Sequence, residues 1–292
     1  FFSEAYEDGK FEVVELQVNH RVNNADGAGA ELIEHLRKVR RGDNSGSSCD
    51  YFNQRVGIAP KGSPFTTLVA KNSISEPINL REMKKLPGDE VTFDGKFQLM
   101  QGQPKAVAKW EEIPPDEHLV LKPGAHVMFI KNDDQGGQIL EGKKVPRWAN
   151  GHFGIVKEID EKAGIVKVAH GSSGKVFDVK TSSWDLVRHE QGKKLLDHGA
   201  HKDTLDPVVQ ASYIQFPLRL AWAQTVHKAQ GQTYSNMVFD PTGIFTDGQT
   251  YVALSRVQSL EGLGLVEPID EKQIMVDKQV VLFMRDCNPI HF

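Results

Sequence analysis

Residues 225–233 read Thr225-Val226-His227-Lys228-Ala229-Gln230-Gly231-Gln232-Thr233, and residues 251–257 read Tyr251-Val252-Ala253-Leu254-Ser255-Arg256-Val257. The first string gathers hydroxyl, imidazole, amine and amide groups around Gly231, a residue type that lets backbone approach a ligand closely. The second sets a single arginine at the end of an otherwise apolar stretch of helical character. Such an arginine needs an anionic partner, and phosphate fits its planar fork best. The alternative is a structural salt bridge to a carboxylate of the same domain.

The surroundings favour an anion. From Pro207 to Phe239 there is no Asp or Glu, while Arg219, His227 and Lys228 fall inside. Net charge over the whole chain is −4, from 35 basic and 39 acidic residues, which excludes a histone-like binder driven by bulk charge but leaves room for a local groove.

Outward from these strings, the first third alternates strands and helices. Phe11–Leu16 predicts a strand. Residues 27–41 predict a helix with Leu32, Ile33, Leu36 and Val39 on one face, Arg37, Lys38, Arg40 and Arg41 in its last turns and Gly42 as its stop. The basic cluster is read as capping and solvation. A Gly-, Ser- and Asn-rich loop is expected over 43–64, then a strand over Thr66–Ala70. A second helix is expected to open at Ser75-Glu76-Pro77 and close at Leu86-Pro87-Gly88. This alternation predicts an α/β layer with a parallel sheet.

The middle changes period. Gly154–Ile159, Gly164–Val168 and Val176–Val179 are short alternating runs separated by the turn sequences Asp160–Gly164 and His170–Gly174. They predict a β-meander of SH3-like barrel size inserted into the α/β domain. The expected boundaries are 1–132 for the first part of the α/β lobe, 133–206 for the barrel and 207–292 for the second part. Trp184 is expected to fill the barrel core, and Trp222 is the tryptophan best placed to stack on a base. His198, His201 and Asp203 are metal-ligand types, but their segment reads as a linker and no metal site is assigned.

At 292 residues, 39% hydrophobic and 25% charged, the chain can bury a sizeable core and is too apolar for global disorder. Two cysteines, Cys49 and Cys287, are too few for a disulfide framework. No apolar run approaches the roughly 18–20 residues of a membrane span, and no signal peptide is evident. An intracellular location without membrane attachment is expected. The chain opens on Phe1-Phe2-Ser3-Glu4 rather than Met, and a piece of a longer protein is expected.

Together, Thr225–Gly231 and Tyr251–Arg256 resemble the fifth and sixth helicase motifs of the RecD-like superfamily-one DNA helicases, PIF branch. Leu16-Gln17-Val18-Asn19-His20-Arg21 resembles the fourth motif, although Val22 stands where the family usually has Gln. Leu68–Asn72 resembles the strand before the DNA-facing turn, Pro123–Asn132 the lead-in to an inserted barrel, and Asn150–Gly154 its first strand. The resemblance covers residues 11–284.

It implies the second RecA-like lobe of an ATP-dependent 5′-to-3′ helicase, with an inserted SH3-like barrel. It implies Arg21 and Arg256 as arginine fingers, Gln230, Gly231 and Gln232 at the nucleotide, and Asn72, Thr225, His227 and Lys228 on single-stranded DNA. The location would be cytoplasmic in a bacterium, or nuclear or mitochondrial in a eukaryote.

An ATPase also needs a Gly-rich loop ending in Gly-Lys-Ser/Thr and carboxylates for Mg²⁺. Each Gly-Lys here, at 9–10, 95–96, 142–143, 174–175 and 192–193, lacks a following Ser or Thr. Asp116-Glu117-His118-Leu119 follows Pro114-Pro115 rather than an apolar strand and is read as a decoy. ATP and Mg²⁺ would therefore be bound mainly by a first RecA-like lobe, expected upstream of Phe1. The other reading is a non-catalytic single-stranded-DNA-binding module derived from a helicase; Arg21 and Arg256 favour the motor, since a pure DNA binder has no use for them. The 292-residue chain alone is expected not to hydrolyse ATP, and DNA-stimulated phosphate release by highly purified chain would overturn that expectation.

Overall fold

The computed structural model describes residues 9, 14–15, 19–22, 27–42, 46–60, 65–99, 115–140, 143–195, 201–286 and 290–291. In chain order these form β1 (Val14–Glu15), α1 (Gly27–Arg41), α2 (Ser47–Asn53), β2 (Thr66–Val69), α3 (Asn72–Lys85), β3 (Val91–Asp94), β4 (Lys96–Leu99), β5 (His118–Leu121), β6 (His126–Phe129), β7 (Gln138–Leu140) and β8 (Lys143–Val145). There follow β9 (Phe153–Asp160), β10 (Ile165–His170), β11 (Val176–Val179), β12 (Ser182–Leu195), β13 (His201–Gln215), β14 (Leu218–Leu220), β15 (Ala223–Thr225), β16 (Met237–Phe239), α4 (Gln249–Leu254), β17 (Leu263–Leu265), α5 (Lys278–Asp286) and β18 (Ile290–His291). Two compact units result: Phe1–Ile78 with Ala223–Phe292, and Asn79–Trp222.

The first unit is α/β. Its sheet has the order β15-β2-β16-β17 and every pairing is parallel, with Thr225 opposite Val69 and Phe239 opposite both Leu68 and Leu265. These strands are short and buried on both faces, as a covered parallel sheet requires. Helix α1 turns Leu32, Leu36 and Val39 inward and packs against α2 and α4; Gly42, at φ +72°, donates its N–H to Val39 and stops it. Of the expected strand Phe11–Leu16, only Val14–Glu15 falls within the described residues, where it pairs in parallel with β18.

Two expectations need correction here. Helix α2 occupies part of the predicted loop 43–64. Its inward residues Ser48, Cys49, Tyr51 and Phe52 owe their burial to α1, where His35 stacks on Tyr51 at 4.0 Å, and not to any periodicity visible in seven residues. Helix α3 begins at Asn72, a turn before Ser75. The Ser75 hydroxyl is buried and donates back to the Asn72 carbonyl at 3.2 Å, and Pro77 lies inside the helix, where it removes one N–H from the ladder.

The second unit is built from antiparallel pairings: a five-stranded sheet β11-β10-β9-β6-β14, a three-stranded sheet β12-β13-β4, and the pairs β3-β5 and β7-β8. The three alternating runs are the consecutive strands β9, β10 and, at the sheet edge, β11, and Val166, Val168 and His170 of β10 face inward. Gly164 and Gly174 take φ +64° and +66° in the turns read from sequence. At Gly154 a Cβ would meet Val168 Cγ1 at 2.4 Å and the Ala169 carbonyl at 2.8 Å, so that strand position excludes any side chain.

This unit is wider than the predicted 133–206. Strands β3 to β6 were counted with the α/β lobe, yet β6 pairs with β9 and β14, and β4 with β13. Strand β13 runs straight through residue 206. The expected boundary falls at Pro207, but Pro207 sits opposite His189 of β12, while β13 meets β4 only over 211–214, so its missing N–H is tolerated on that side. The segment read as a linker is partly strand, since His201 and Asp203 lie in β13; His198 is outside the described residues. Among the described residues no three His, Cys, Asp or Glu side chains converge on a common point, and no helix is long and apolar enough to cross a membrane.

Trp148, not Trp184, fills the core of this unit. Its ring is fully buried and stacks on Phe129 at 4.7 Å, with the Arg147 guanidinium 4.4 Å from its centroid. Trp184 is half-buried beside Met128, Ile130 and Ala221, with Lys131 Nζ 5.3 Å from its ring; Trp222 is half-buried, edge-on to His126. Asp116, the decoy, lies 3.5 Å from Arg219.

Asp133 anchors the strand-connecting loop. Its side chain is fully buried and accepts from the backbone of Gln135, Gly137 and Arg147 and from Arg147 Nε and Nη2, both at 2.8 Å. Burial pushes this carboxyl up, but the Arg147 bonds, with the Gln135 N–H, outweigh burial and hold it down to about 2. Because the folded value lies below the ordinary 3.8, its stabilisation is complete above about pH 4 and lost as pH falls through about 2. Arg147→Ala should cost about 3–5 kcal/mol in urea denaturation at pH 7, since it leaves a buried charge unpaired. Asp133→Asn should remove the acid loss between pH 4 and 2.

Candidate functional site

The site is assembled at the C-terminal ends of β2 and β15, within the first unit. Ligands gather at this edge of parallel sheets because helices and turns begin there. Val226 N–H donates to the Val69 carbonyl at 2.9 Å, which carries the pairing one residue past the strands. After Val69 the chain passes Ala70 and Lys71 and enters α3 at Asn72. After Thr225 it makes a tight turn in which Ala229 N–H bonds Thr225 O, Gln230 N–H bonds His227 O and Gln232 N–H bonds Ala229 O.

The predicted DNA-facing residues therefore share one edge but not one exposure. Asn72, His227 and Lys228 are exposed. Thr225 is buried, and its hydroxyl accepts from the Lys228 N–H at 3.4 Å, capping its own turn. Gly231 closes the turn at φ +84°, and no atom lies within 4 Å of where its Cβ would stand. In this chain its necessity is conformational; the close approach that its sequence context implied is not required by any protein atom. Gln230 is exposed and Gln232 half-buried.

The two strings that opened the sequence meet at Ser255. Helix α4 ends at Leu254, Ser255 caps it, and the Arg256 N–H donates to Ala253 O. Arg256 is 9% exposed, and its guanidinium donates to Val252 O (2.8 Å), Ser255 Oγ (2.8 Å) and Gln232 O (3.4 Å). Arg21, from far up the chain, donates to Thr233 Oγ1 (3.0 Å) and to Ser255 O (2.9 Å). Its own position is set by Asn19, whose side-chain oxygen accepts from the Arg21 and Val22 N–H groups.

Two guanidinium groups thus flank one serine. Burial first, and the neighbouring Arg21 charge second, lower the Arg256 pKa, and no carboxylate among the described residues offsets either effect. The salt-bridge alternative raised by the sequence is not what the described residues show: every partner of Arg256 among them is a neutral oxygen. Among the described residues this pair of like charges has no carboxylate partner, and guanidinium groups so placed suit an anion.

Sequence reading missed four contributors. Thr233 and Ser255 stand inside the quoted strings, but only the fold shows them bonded to arginines. Gln249 is buried and bridges two segments, its Nε2 donating to Ala70 O and its Oε1 accepting from Phe245 N–H, both at 3.2 Å. Phe245 is 55% exposed, with Lys71 Nζ 5.1 Å from its ring centroid and the His227 ring 6.2 Å away. An aromatic in the Gly- and Asp-containing loop 240–248 was the available signal.

No family model matches the chain. Among curated proteins it is similar to the ATP-dependent DNA helicase PIF1 of Candida albicans, 43% identical over 287 aligned positions that cover 78% of this chain and 32% of that protein. It is 28% identical to the ATP-dependent DNA helicase Pif1 of Bdellovibrio bacteriovorus, over 98% of this chain and 56% of that one. The chain belongs to the Pif1 family. Its fold agrees: a Bacteroides Pif1 crystal structure bound to ssDNA superposes with a TM-score of 0.64 at 25% identity, covering 97% of this chain and 58% of that one. A double mutant of the Bacteroides Pif1 helicase gives a TM-score of 0.72 at 24% identity. The chain spans about half the length of the Bdellovibrio relative and about a third of the Candida one.

Gly231→Ala should destabilise the chain by about 1–2 kcal/mol through its left-handed backbone alone. Gly27→Ala, at a helical position with equally open surroundings, should be neutral or stabilising. Denaturant melts of the two variants check the opposite signs.

Proposed function

We propose that this chain is the second RecA-like lobe of an ATP-dependent DNA helicase, and that Asn79–Trp222 contains its SH3-like insertion. The observation that carries the proposal is the Arg21–Ser255–Arg256 corner, two guanidinium groups held by neutral oxygens with no carboxylate partner among the described residues. Arg21 and Arg256 would face the γ-phosphate of ATP, and the backbone of Gln230, Gly231 and Gln232 would complete the wall beside it. The phosphate loop and the Mg²⁺ carboxylates would come from a first lobe, since no Gly-Lys of this sequence is followed by Ser or Thr. The donor set here is cationic, which suits phosphate and does not suit Mg²⁺. When bound, that ion supplies charge neutralisation between the phosphates.

Single-stranded DNA would cross the exposed edge formed by Asn72, His227 and Lys228. Thr225 supports it as the cap of the turn that presents His227. Cations and short polar groups at strand ends make backbone contacts that ignore base identity, so binding should be salt-sensitive and sequence-tolerant. Nucleotide-driven closure of the two lobes would then move the strand; by the family resemblance the direction is 5′-to-3′.

An arginine supplied across an interface acts mainly on the transition state, with an effect of about 10³–10⁵ in turnover. In a protein carrying both lobes, Arg256→Ala should lose turnover far more than nucleotide affinity, and Arg256→Lys should not rescue it. Relief of the Arg21 repulsion offsets part of the lost hydrogen bonding, so the melting temperature should change little. Near-normal turnover with lost stability would end the arginine-finger assignment. His227→Ala should weaken DNA stimulation of the ATPase; unchanged DNA affinity and stimulation would reject the DNA track.

A further inference from the structure

We infer that Phe245 is a nucleobase-stacking platform on the single-stranded DNA track, gripping one base while Lys71, His227 and Lys228 take the adjoining phosphates. This rests on the reading of that edge as a DNA track and adds a base contact to what is otherwise a backbone-only interface.

The aromatic rings most exposed among the described residues are Phe65 and Phe245, 37% and 55% exposed. Phe65 stands at the N-terminal start of β2. Phe245 stands at the opposite, ligand-bearing edge, and it is held there deliberately. Its N–H is fixed by the side-chain oxygen of Gln249, whose amide nitrogen is bonded to Ala70 O where β2 ends. Gln249 is 3% exposed, so the clamp is shielded from water and the ring is presented in a set place rather than swinging with its loop.

The chemistry around the ring selects its occupant. A bare anion has no use for an apolar face. An apolar protein partner would have to cover the Lys71 ammonium, 5.1 Å from the ring centroid, and the exposed His227 and Lys228. A nucleotide needs both surfaces, a π-face for the base and cations for the phosphodiester. Asp247, two residues along and exposed, weakens the positive field, so the ring carries a share that charge alone does not. Every base has a π-face, so the contact is sequence-tolerant. Bases inside a duplex are already stacked, so it accepts single strands only.

The test is fluorescence anisotropy of the 292-residue chain with labelled oligo(dT), and with versions in which one abasic position is walked along the strand. Wild type should lose about tenfold in affinity at one abasic position. Phe245→Ala should bind oligo(dT) about tenfold more weakly, be indifferent to the abasic position and melt as wild type does. Phe245→Trp should restore binding, and its emission should be quenched by the strand. If wild type binds and Phe245→Ala binds equally well, the platform is wrong and the track stands. If Phe245→Ala is weakened but keeps the wild-type abasic profile, the ring shapes the loop only and the inference falls. If folded wild-type chain binds no oligonucleotide at low salt, the track itself is wrong and the platform falls with it.

Discussion

Everything at the candidate site depends on the parallel pairing of β2 with β15. The strands are short, yet they join residues on either side of the long excursion Asn79–Trp222. Closing so long a loop costs configurational entropy that grows only slowly with length. The return comes from burying Leu68, Val69, Ala223 and Val226. Once Thr225 lies beside Val69, Lys71 and Asn72 must emerge next to the turn that carries His227 and Lys228. Without that register, the residues quoted from distant parts of the sequence would have no common surface.

The arginine corner has the opposite character, since it spends stability. Each guanidinium is held by carbonyl and hydroxyl oxygens, so the anion proposed for this corner would meet donors already in place. Keeping Arg256 mostly out of water beside Arg21 is unfavourable in isolation, and burial together with like charge lowers its pKa accordingly.

Much of this was legible in the sequence for identifiable reasons. Leu32, Leu36 and Val39 fix α1 by period, Gly42 ends it by conformation, and the turn glycines Gly164 and Gly174 separate alternating strands as read. Strings 225–233 and 251–257 converge because β15 and α4 deliver them to Ser255. What escaped was decided by tertiary contact. Helix α2 is too short to show a period, and its face is defined by His35. The boundary expected at 206/207 fails because β13 continues through Pro207, where one side of it has no ladder to lose. Trp148 and Trp184 are equal as letters; the Arg147–Asp133 bracket sends Trp148 into the core. Phe245 offered only the weak signal of an aromatic in a Gly- and Asp-containing loop, because exposure is a property of neighbours.

Helix α4 has a geometric consequence. Gln249, which holds Phe245, begins it, and Arg256 lies just past its end. Six residues at 1.5 Å each make a rod of about 9 Å, stiff on the scale of any motion that leaves its hydrogen bonds intact. Both ends of the rod are buried, Gln249 and Thr250 at one and Ala253 and Leu254 at the other. The helix is therefore a spacer that sets how far the clamp on Phe245 lies from the guanidinium of Arg256.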